Sequence, residues 1–156
     1  MKLFDLHCDT VTKAFTENKS LFSGEMHINL KKAGYIENYK QCFALWIDDS
    51  FKGRPAFSFC SELIDFYQKE IERMKKAAEN SFRPVLTIEN GSALCGDADN
   101  IPYFAGIGVR MITLTWNGEN ELGYGVGTGC SKGLKPFGKA AIKVMENENI
   151  IIDKNN

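Results

Sequence analysis

The sequence predicts an α/β fold built on a parallel sheet, and three observations predict it. Five short apolar runs are spaced along 156 residues. Longer segments separate them, and two of these segments carry helical periodicity. Several of the runs are nearly continuously apolar, as strands buried on both faces of a parallel sheet are. Strands that alternate with helices imply parallel neighbours joined by right-handed crossovers.

The first run is Lys2–Leu6, and it leads into Asp5-Leu6-His7-Cys8-Asp9-Thr10. Side chains of an extended chain alternate faces, so His7 and Asp9 share one face and Cys8 takes the other. An imidazole and a carboxylate side by side make half of a metal site. Zinc accepts both ligand types and in hydrolases keeps an open position for water. By itself, His-x-Asp also fits a histidine hydrogen-bonded within a core.

The second run, Gln41–Ile47, ends in Asp48 and Asp49. A helix follows. Phe59, Cys60, Leu63, Ile64, Tyr67, Ile71, Met74 and Ala78 recur at three- and four-residue steps and predict a core-facing stripe. Lys69, Glu70, Glu72, Lys75 and Lys76 take the other face. The third run, Pro84–Ile88, is followed by Glu89 and Asn90. A glutamate can bridge two ions, one oxygen to each, and two close metals can hold a shared water.

The fourth run, Val109–Thr115, leads into Trp116 and Asn117, and then into a polar cluster of Asn117, Glu119, Asn120 and Glu121. These side chains would hold a substrate or cap the following loop. Another helix is predicted from about Phe137 to Glu148, with Pro136 at its start and Ala141, Val144 and Met145 facing inward. The fifth run, Ile150–Ile152, ends in Asp153. Polar residues thus follow every run. In α/β barrels the chemistry sits at the carboxyl ends of the strands, although strands also end in polar turn residues for no further reason.

Composition narrows the function. The chain is 44% hydrophobic and 25% charged with a net charge of -1, an ordinary globular balance. No basic stripe points to nucleic acid or to an anionic membrane. No apolar run approaches the ~20 residues of a membrane-spanning helix. The N-terminus lacks the pattern of a secretion signal, so a cytoplasmic location is the expectation. The five cysteines, Cys8, Cys42, Cys60, Cys95 and Cys130, are widely spaced without C-x-x-C, so reduced and mostly buried thiols are expected. Cys8 reads as core rather than nucleophile. His27, in a loop, is a weaker candidate ligand. The segment Gly123-Tyr124-Gly125-Val126-Gly127-Thr128-Gly129 fits neither G-x-G-x-x-G nor a P-loop and reads as a βα loop.

Taken in order, five segments carry a family resemblance: Asp5-Leu6-His7-Cys8-Asp9-Thr10, His27-Ile28-Asn29-Leu30, Thr87-Ile88-Glu89-Asn90-Gly91, Gly108 through Asn117 and Gly133-Leu134-Lys135-Pro136-Phe137-Gly138-Lys139. Together they resemble the N-terminal half of the membrane dipeptidase (renal dipeptidase, M19) family, in its bacterial branch. The resemblance implies a TIM-type (β/α)8 barrel. Residues 1–156 would form a single partial barrel domain, an incomplete N-terminal portion of about four to five strands. It also implies a two-zinc centre that hydrolyses dipeptides by metal-activated water and tolerates a D-residue at their C-terminal position.

By the same resemblance, His7 and Asp9 match the ligands of one zinc, and Glu89 matches the bridging carboxylate. Trp116 stands where animal members carry a substrate-contacting histidine, and Trp116 with Asn117 are the candidate substrate-binding residues. Asn90 replaces a small or acidic residue, a minor departure. The family continues after the fifth strand to a histidine that binds the second zinc. Here Ile152-Asp153 matches, but Lys154-Asn155-Asn156 follows and Asn156 takes the histidine's position. A neutral amide is a poor zinc ligand.

The family's catalytic aspartate would lie beyond residue 156, so no catalytic residue is assigned. These readings predict a truncated or frameshifted dipeptidase, poorly active or inactive, whose open barrel edges favour self-association or a partner chain. Two alternatives stand beside it: a non-catalytic half-barrel interaction module, and another binuclear-metal amidohydrolase or phosphoesterase.

Overall fold

The structure is a computed structural model that describes residues 2–21, 25–28, 36–77, 82–129 and 131–154. The readings placed on Asn29, Leu30, Ala78, Cys130, Asn155 and Asn156, and on the side chains of Lys75 and Lys76, lie outside the described residues.

The elements run β1 (Lys2–Asp5), α1 (Thr10–Thr16), β2 (Asn38–Trp46), α2 (Arg54–Ala77), β3 (Arg83–Glu89), α3 (Asn100–Ile107), β4 (Val109–Thr113), α4 (Pro136–Asn147) and β5 (Ile151–Asp153). Short 3-10 turns lie at Gly91–Leu94 and Val126–Thr128. The five strands are parallel and follow chain order, β1-β2-β3-β4-β5. Each predicted strand and both predicted helices are present, within a few residues at the ends. By internal contacts the chain forms two compact units, Met1–Leu45 with Glu62–Leu86 and Trp46–Ser61 with Thr87–Asn156.

In the first unit, β1 pairs with β2 from Lys2↔Asn38 to Asp5↔Gln41. The ladder keeps its register past the end of β1, where the Ala44 N–H donates to Cys8 O at 2.9 Å. An aromatic cluster fills this unit: Phe43 packs on Tyr67 and Phe82, and Tyr39 on Phe82. Leu63, Ile64, Tyr67, Ile71 and Met74 of α2 are buried as the stripe predicts.

Glu70 is a correction. It is buried rather than on the solvent face, and its carboxylate accepts from Ser20 Oγ at 2.5 Å, Leu21 N at 2.9 Å and Arg73 at 2.8 Å. Its position, three residues after Tyr67 and four before Met74, lies on the apolar stripe.

In the second unit, β4 pairs with β5 from Met111↔Ile151 to Thr113↔Asp153. Thr113 Oγ1 also donates to the Asp153 carboxylate at 2.7 Å. Ile101, Phe104, Ile112, Leu122, Ala141 and Met145 are fully buried here. Val144 is half-buried rather than inward. Helix α3 has its own signals: Pro102 in the first turn, and Gly108 closing it at φ +114 with its N–H on Phe104 O and Ala105 O. Gly138 lets α4 approach the chain, because a Cβ there would stand 2.1 Å from Leu122 O.

The outer strands differ from the buried expectation. Leu3 and Phe4 of β1 and Ile151 of β5 are 38%, 54% and 62% exposed. Each of these strands has a neighbour on one side only in the sheet order. No helix among the described residues is long and apolar enough to cross a membrane.

Candidate metal centre

The segment after β1 positions the first two candidate ligands. The strand ends at Asp5, so His7 sits in the connection and not in the strand itself. Asp5 Oδ1 accepts the His7 backbone N–H at 3.2 Å and bends the chain. The predicted alternation holds beyond the strand: His7 and Asp9 are exposed, and Cys8 between them is half-buried. His7 is therefore no core histidine. Its Nε2 lies 3.1 Å from Asp9 Oδ1. Asp9 is the N-cap residue of α1, yet its side chain caps nothing, which leaves the carboxylate with the imidazole. Burial pushes the Cys8 thiol up to about 11, the behaviour of an inert thiol rather than a nucleophile.

Asp9 also borders a cavity of about 390 Å³, together with Thr10, Lys13, Glu17, Lys19, Glu25, Met26 and His27. Lys19 pairs with Glu17 at 2.9 Å and with Glu25 at 3.6 Å. The hydrogen bond from Lys19 lowers the Glu17 pKa, and Glu17 in turn raises that of Lys19.

The second unit holds the other candidates. Glu89 is the last residue of β3 and is half-buried. Its carbonyl accepts from Ile47 N at 3.1 Å. Trp116, just past β4, is half-buried and stands edge-to-face on Trp46, with centroids 5.1 Å apart at 72°. Asn117 is exposed. Its backbone lies against the glycine-rich segment so closely that a Cβ on Gly125 would meet Trp116 O at 2.3 Å, and one on Gly127 would meet Asn117 O at 2.8 Å. The glycines serve close packing of a βα loop, as the sequence suggests.

The polar cluster after β4 resolves into a cap. Asn120 is buried, and its Oδ1 accepts from Leu122 N at 2.8 Å and Gly123 N at 3.1 Å. Its Nδ2 donates to Leu114 O at 2.8 Å and to Asn90 Oδ1 at 2.9 Å. Glu119 pairs with Lys135 at 2.6 Å, which holds its carboxyl below the usual range. Glu121 Oε1 accepts from Gly53 N at 3.2 Å.

Asn90 has a larger part in the fold than its sequence position suggested. It is fully buried at φ +85. Its Nδ2 donates to Ile47 O at 2.9 Å and to Asp49 Oδ1 at 3.0 Å. Its Oδ1 accepts from Ser92 N at 3.1 Å as well as from Asn120. The signal for it was the Asn-Gly pair directly after a strand, since Asn tolerates positive φ and bonds its own backbone two residues on.

The family model for membrane dipeptidase (peptidase family M19) matches residues 1–155. No curated protein matches the sequence. Among solved structures, a metallopeptidase from Rhodobacter sphaeroides, liganded with a phosphinate mimic of the dipeptide L-Ala-D-Ala, is similar with a TM-score of 0.80 at 14% identity. That similarity covers 98% of this chain and 58% of the other. A dipeptidase AC, a metallopeptidase of family M19, gives 0.81 at 14% identity over 98% of this chain and 56% of its own. The probable dipeptidase PvdM from Pseudomonas aeruginosa gives 0.71 at 20% identity over 98% and 46%. The chain thus spans about half the length of these structures. At such identities the likeness shows the fold: an incomplete N-terminal portion of a TIM-type (β/α)8 barrel.

Proposed function

The chain belongs to the membrane dipeptidase family, peptidase family M19, and on that premise we propose that it is a zinc-dependent dipeptide hydrolase with His7, Asp9 and Glu89 among its metal ligands. The family match over residues 1–155 carries the reading.

The donor set fits the metal. An imidazole nitrogen and two carboxylates are ligands that zinc accepts. Each of the three residues offers one ligand atom. Two donors about 2.0–2.1 Å from one tetrahedral ion stand roughly 3.3 Å apart, close to the 3.1 Å between His7 Nε2 and Asp9 Oδ1. When bound, zinc activates a water and polarises the peptide carbonyl.

The chain's own residues do the positioning. The short connection between β1 and α1 presents His7 and Asp9 together. The end of β3 presents Glu89, fixed through its backbone by Ile47, and its two oxygens suit a bridging role. Trp116, braced by Trp46, offers an apolar wall for a dipeptide side chain, and Asn117 offers an amide to its polar ends.

Two ions with about four ligands each need more donors than His7, Asp9 and Glu89. The proposal for these 156 residues by themselves is therefore trace turnover at most. Self-association belongs to the same proposal, supported by the exposed Leu3, Phe4 and Leu6 at β1.

Titration calorimetry with zinc on the metal-free chain, with Glu89→Gln and His7→Ala, tests the ligand set. A loss of about tenfold or more in affinity in each variant is expected. Unchanged affinity in both would exclude these ligands. Hydrolysis of L-Ala-D-Ala tests the activity, and fast chelator-sensitive turnover lost in Glu89→Gln would overturn the low-activity part.

A further inference from the structure

We propose that Asn90 is a positioning residue for Glu89: it fixes the direction in which that carboxylate leaves the end of β3. The inference rests on the metal reading above.

The geometry begins with the backbone. Asn90 follows Glu89 directly and takes φ +85, a conformation that persists in a non-glycine residue where the surroundings fix it. Here they do. The side chain is 0% exposed, and both lone-pair sites and both N–H groups of its amide are used. Ile47 is held through both of its backbone polar groups: its N–H donates to Glu89 O at 3.1 Å, and its carbonyl accepts from Asn90 Nδ2 at 2.9 Å. The strand ladder therefore continues through a side chain where the backbone turns away.

The same amide ties in the neighbouring connections. Asp49, after β2, accepts from Asn90 through Oδ1 and from Gly118 N through Oδ2 at 2.6 Å. Asn120, after β4, joins through Oδ1 of Asn90. Gly91 N donates to Leu114 O at 3.3 Å. The backbone from the Glu89 carbonyl through Gly91 is thus fastened to the connections after β2 and β4.

A ligand carboxylate whose Cα–Cβ direction is set in this way loses little freedom when a metal binds. Supporting bonds of this kind are typically worth 10–100-fold in metal affinity. The residue type matters. An aspartate at 90 would lose both donors and face Asp49 with a second carboxylate.

Cobalt(II) is the probe, because its d–d absorption reports ligand geometry as well as affinity. Asn90→Gly deletes the amide and still accepts the positive φ. Ser92→Ala is the control: its buried hydroxyl has no partner. The expected result is a loss of roughly tenfold or more in cobalt affinity and an altered visible spectrum for Asn90→Gly, with Ser92→Ala like the parent. Parent-like affinity and spectrum in Asn90→Gly, with Glu89→Gln impaired, would overturn the positioning role and leave the metal reading intact. Parent-like behaviour in Glu89→Gln would overturn both. Should Asn90→Gly fail to fold, Asp49→Ala decides. It removes one bond from the same amide, so a roughly threefold to tenfold loss supports the role and no loss overturns it.

Discussion

Asn120 donates its side-chain N–H to Asn90 Oδ1 at 2.9 Å, and both side chains are buried. Two asparagines, thirty positions apart in the chain, thereby lock the connection after β3 to the connection after β4. Each satisfies its full hydrogen-bonding capacity, so the pair is a stable polar plug and not a buried liability.

Asn120→Ala removes that plug. It leaves Leu122 N and Gly123 N without their acceptor and removes one of the two donors to Asn90 Oδ1. Unsatisfied buried groups cost about 1–3 kcal/mol each before relaxation. A net destabilisation of about 2–4 kcal/mol is expected in urea unfolding. A loss under about 1 kcal/mol would show that the loop repacks around the gap.

Glu70 is the corresponding anchor in the first unit. Glu70→Ala strips the acceptor from Ser20 and Leu21 and is expected to cost about 2–3 kcal/mol. Glu70→Gln, which keeps one oxygen, should cost less. Arg73→Ala should cost under about 1 kcal/mol, because an exposed ion-pair partner contributes little, and the Arg73 side chain is 72% exposed. Equal losses in Glu70→Ala and Arg73→Ala would assign the stability to the ion pair.

Two glycines should respond in opposite directions. Gly138→Ala drives a Cβ to 2.1 Å from the Leu122 carbonyl, and a loss of at least about 2 kcal/mol is expected from the forced backbone shift. Gly106→Ala, in α3 with nothing within 4 Å of the new Cβ, should gain up to about 1 kcal/mol from helix propensity. Paired thermal melts check both, and similar melting points would contradict the packing described for α4.

Stability should fall in alkali. Burial raises the Cys60 thiol above its ordinary 9.0, pushes Tyr39 from 10.0 up to about 12 and raises Tyr67. Each group is neutral when protonated and holds its proton more tightly in the folded chain. The stabilisation is therefore complete below pH 9 and is lost progressively as pH rises above 9.0 for Cys60 and between 10.0 and about 12 for Tyr39. Urea midpoints at pH 8 and pH 10.5 measure it. A flat profile would mean that these groups ionise without unfolding the core.

The exposed β1 predicts association. Leu3 and Phe4 of β1 and Leu6 just past its end are 38%, 54% and 60% exposed, and among the described residues β1 has one neighbour in the sheet order. Unpaired apolar edges recruit other strands. Sedimentation velocity is expected to show dimers or larger species, reduced in the double variant Phe4→Ser with Leu6→Ser. A monodisperse parent monomer would remove this part of the proposal.

The sequence by itself determined the elements. Runs such as Gln41–Ile47 and the stripe from Cys60 to Met74 carry their periodicity locally, and local pattern is what selects strand or helix. It also determined the candidate ligand types, since the motifs around His7, Asp9 and Glu89 are contiguous. Glu70 and Asn90 were not read from the pattern, although the stripe spacing and the Asn-Gly pair held the clues.

Only the tertiary structure decided what those side chains do. Glu70 is inside because Ser20 and Leu21, some fifty residues away, supply its donors. Asn90 is a hub because Ile47, Asp49 and Asn120 converge on one amide. A buried polar group is tolerated only where partners distant in the chain satisfy it, and no local pattern encodes which distant partners will meet.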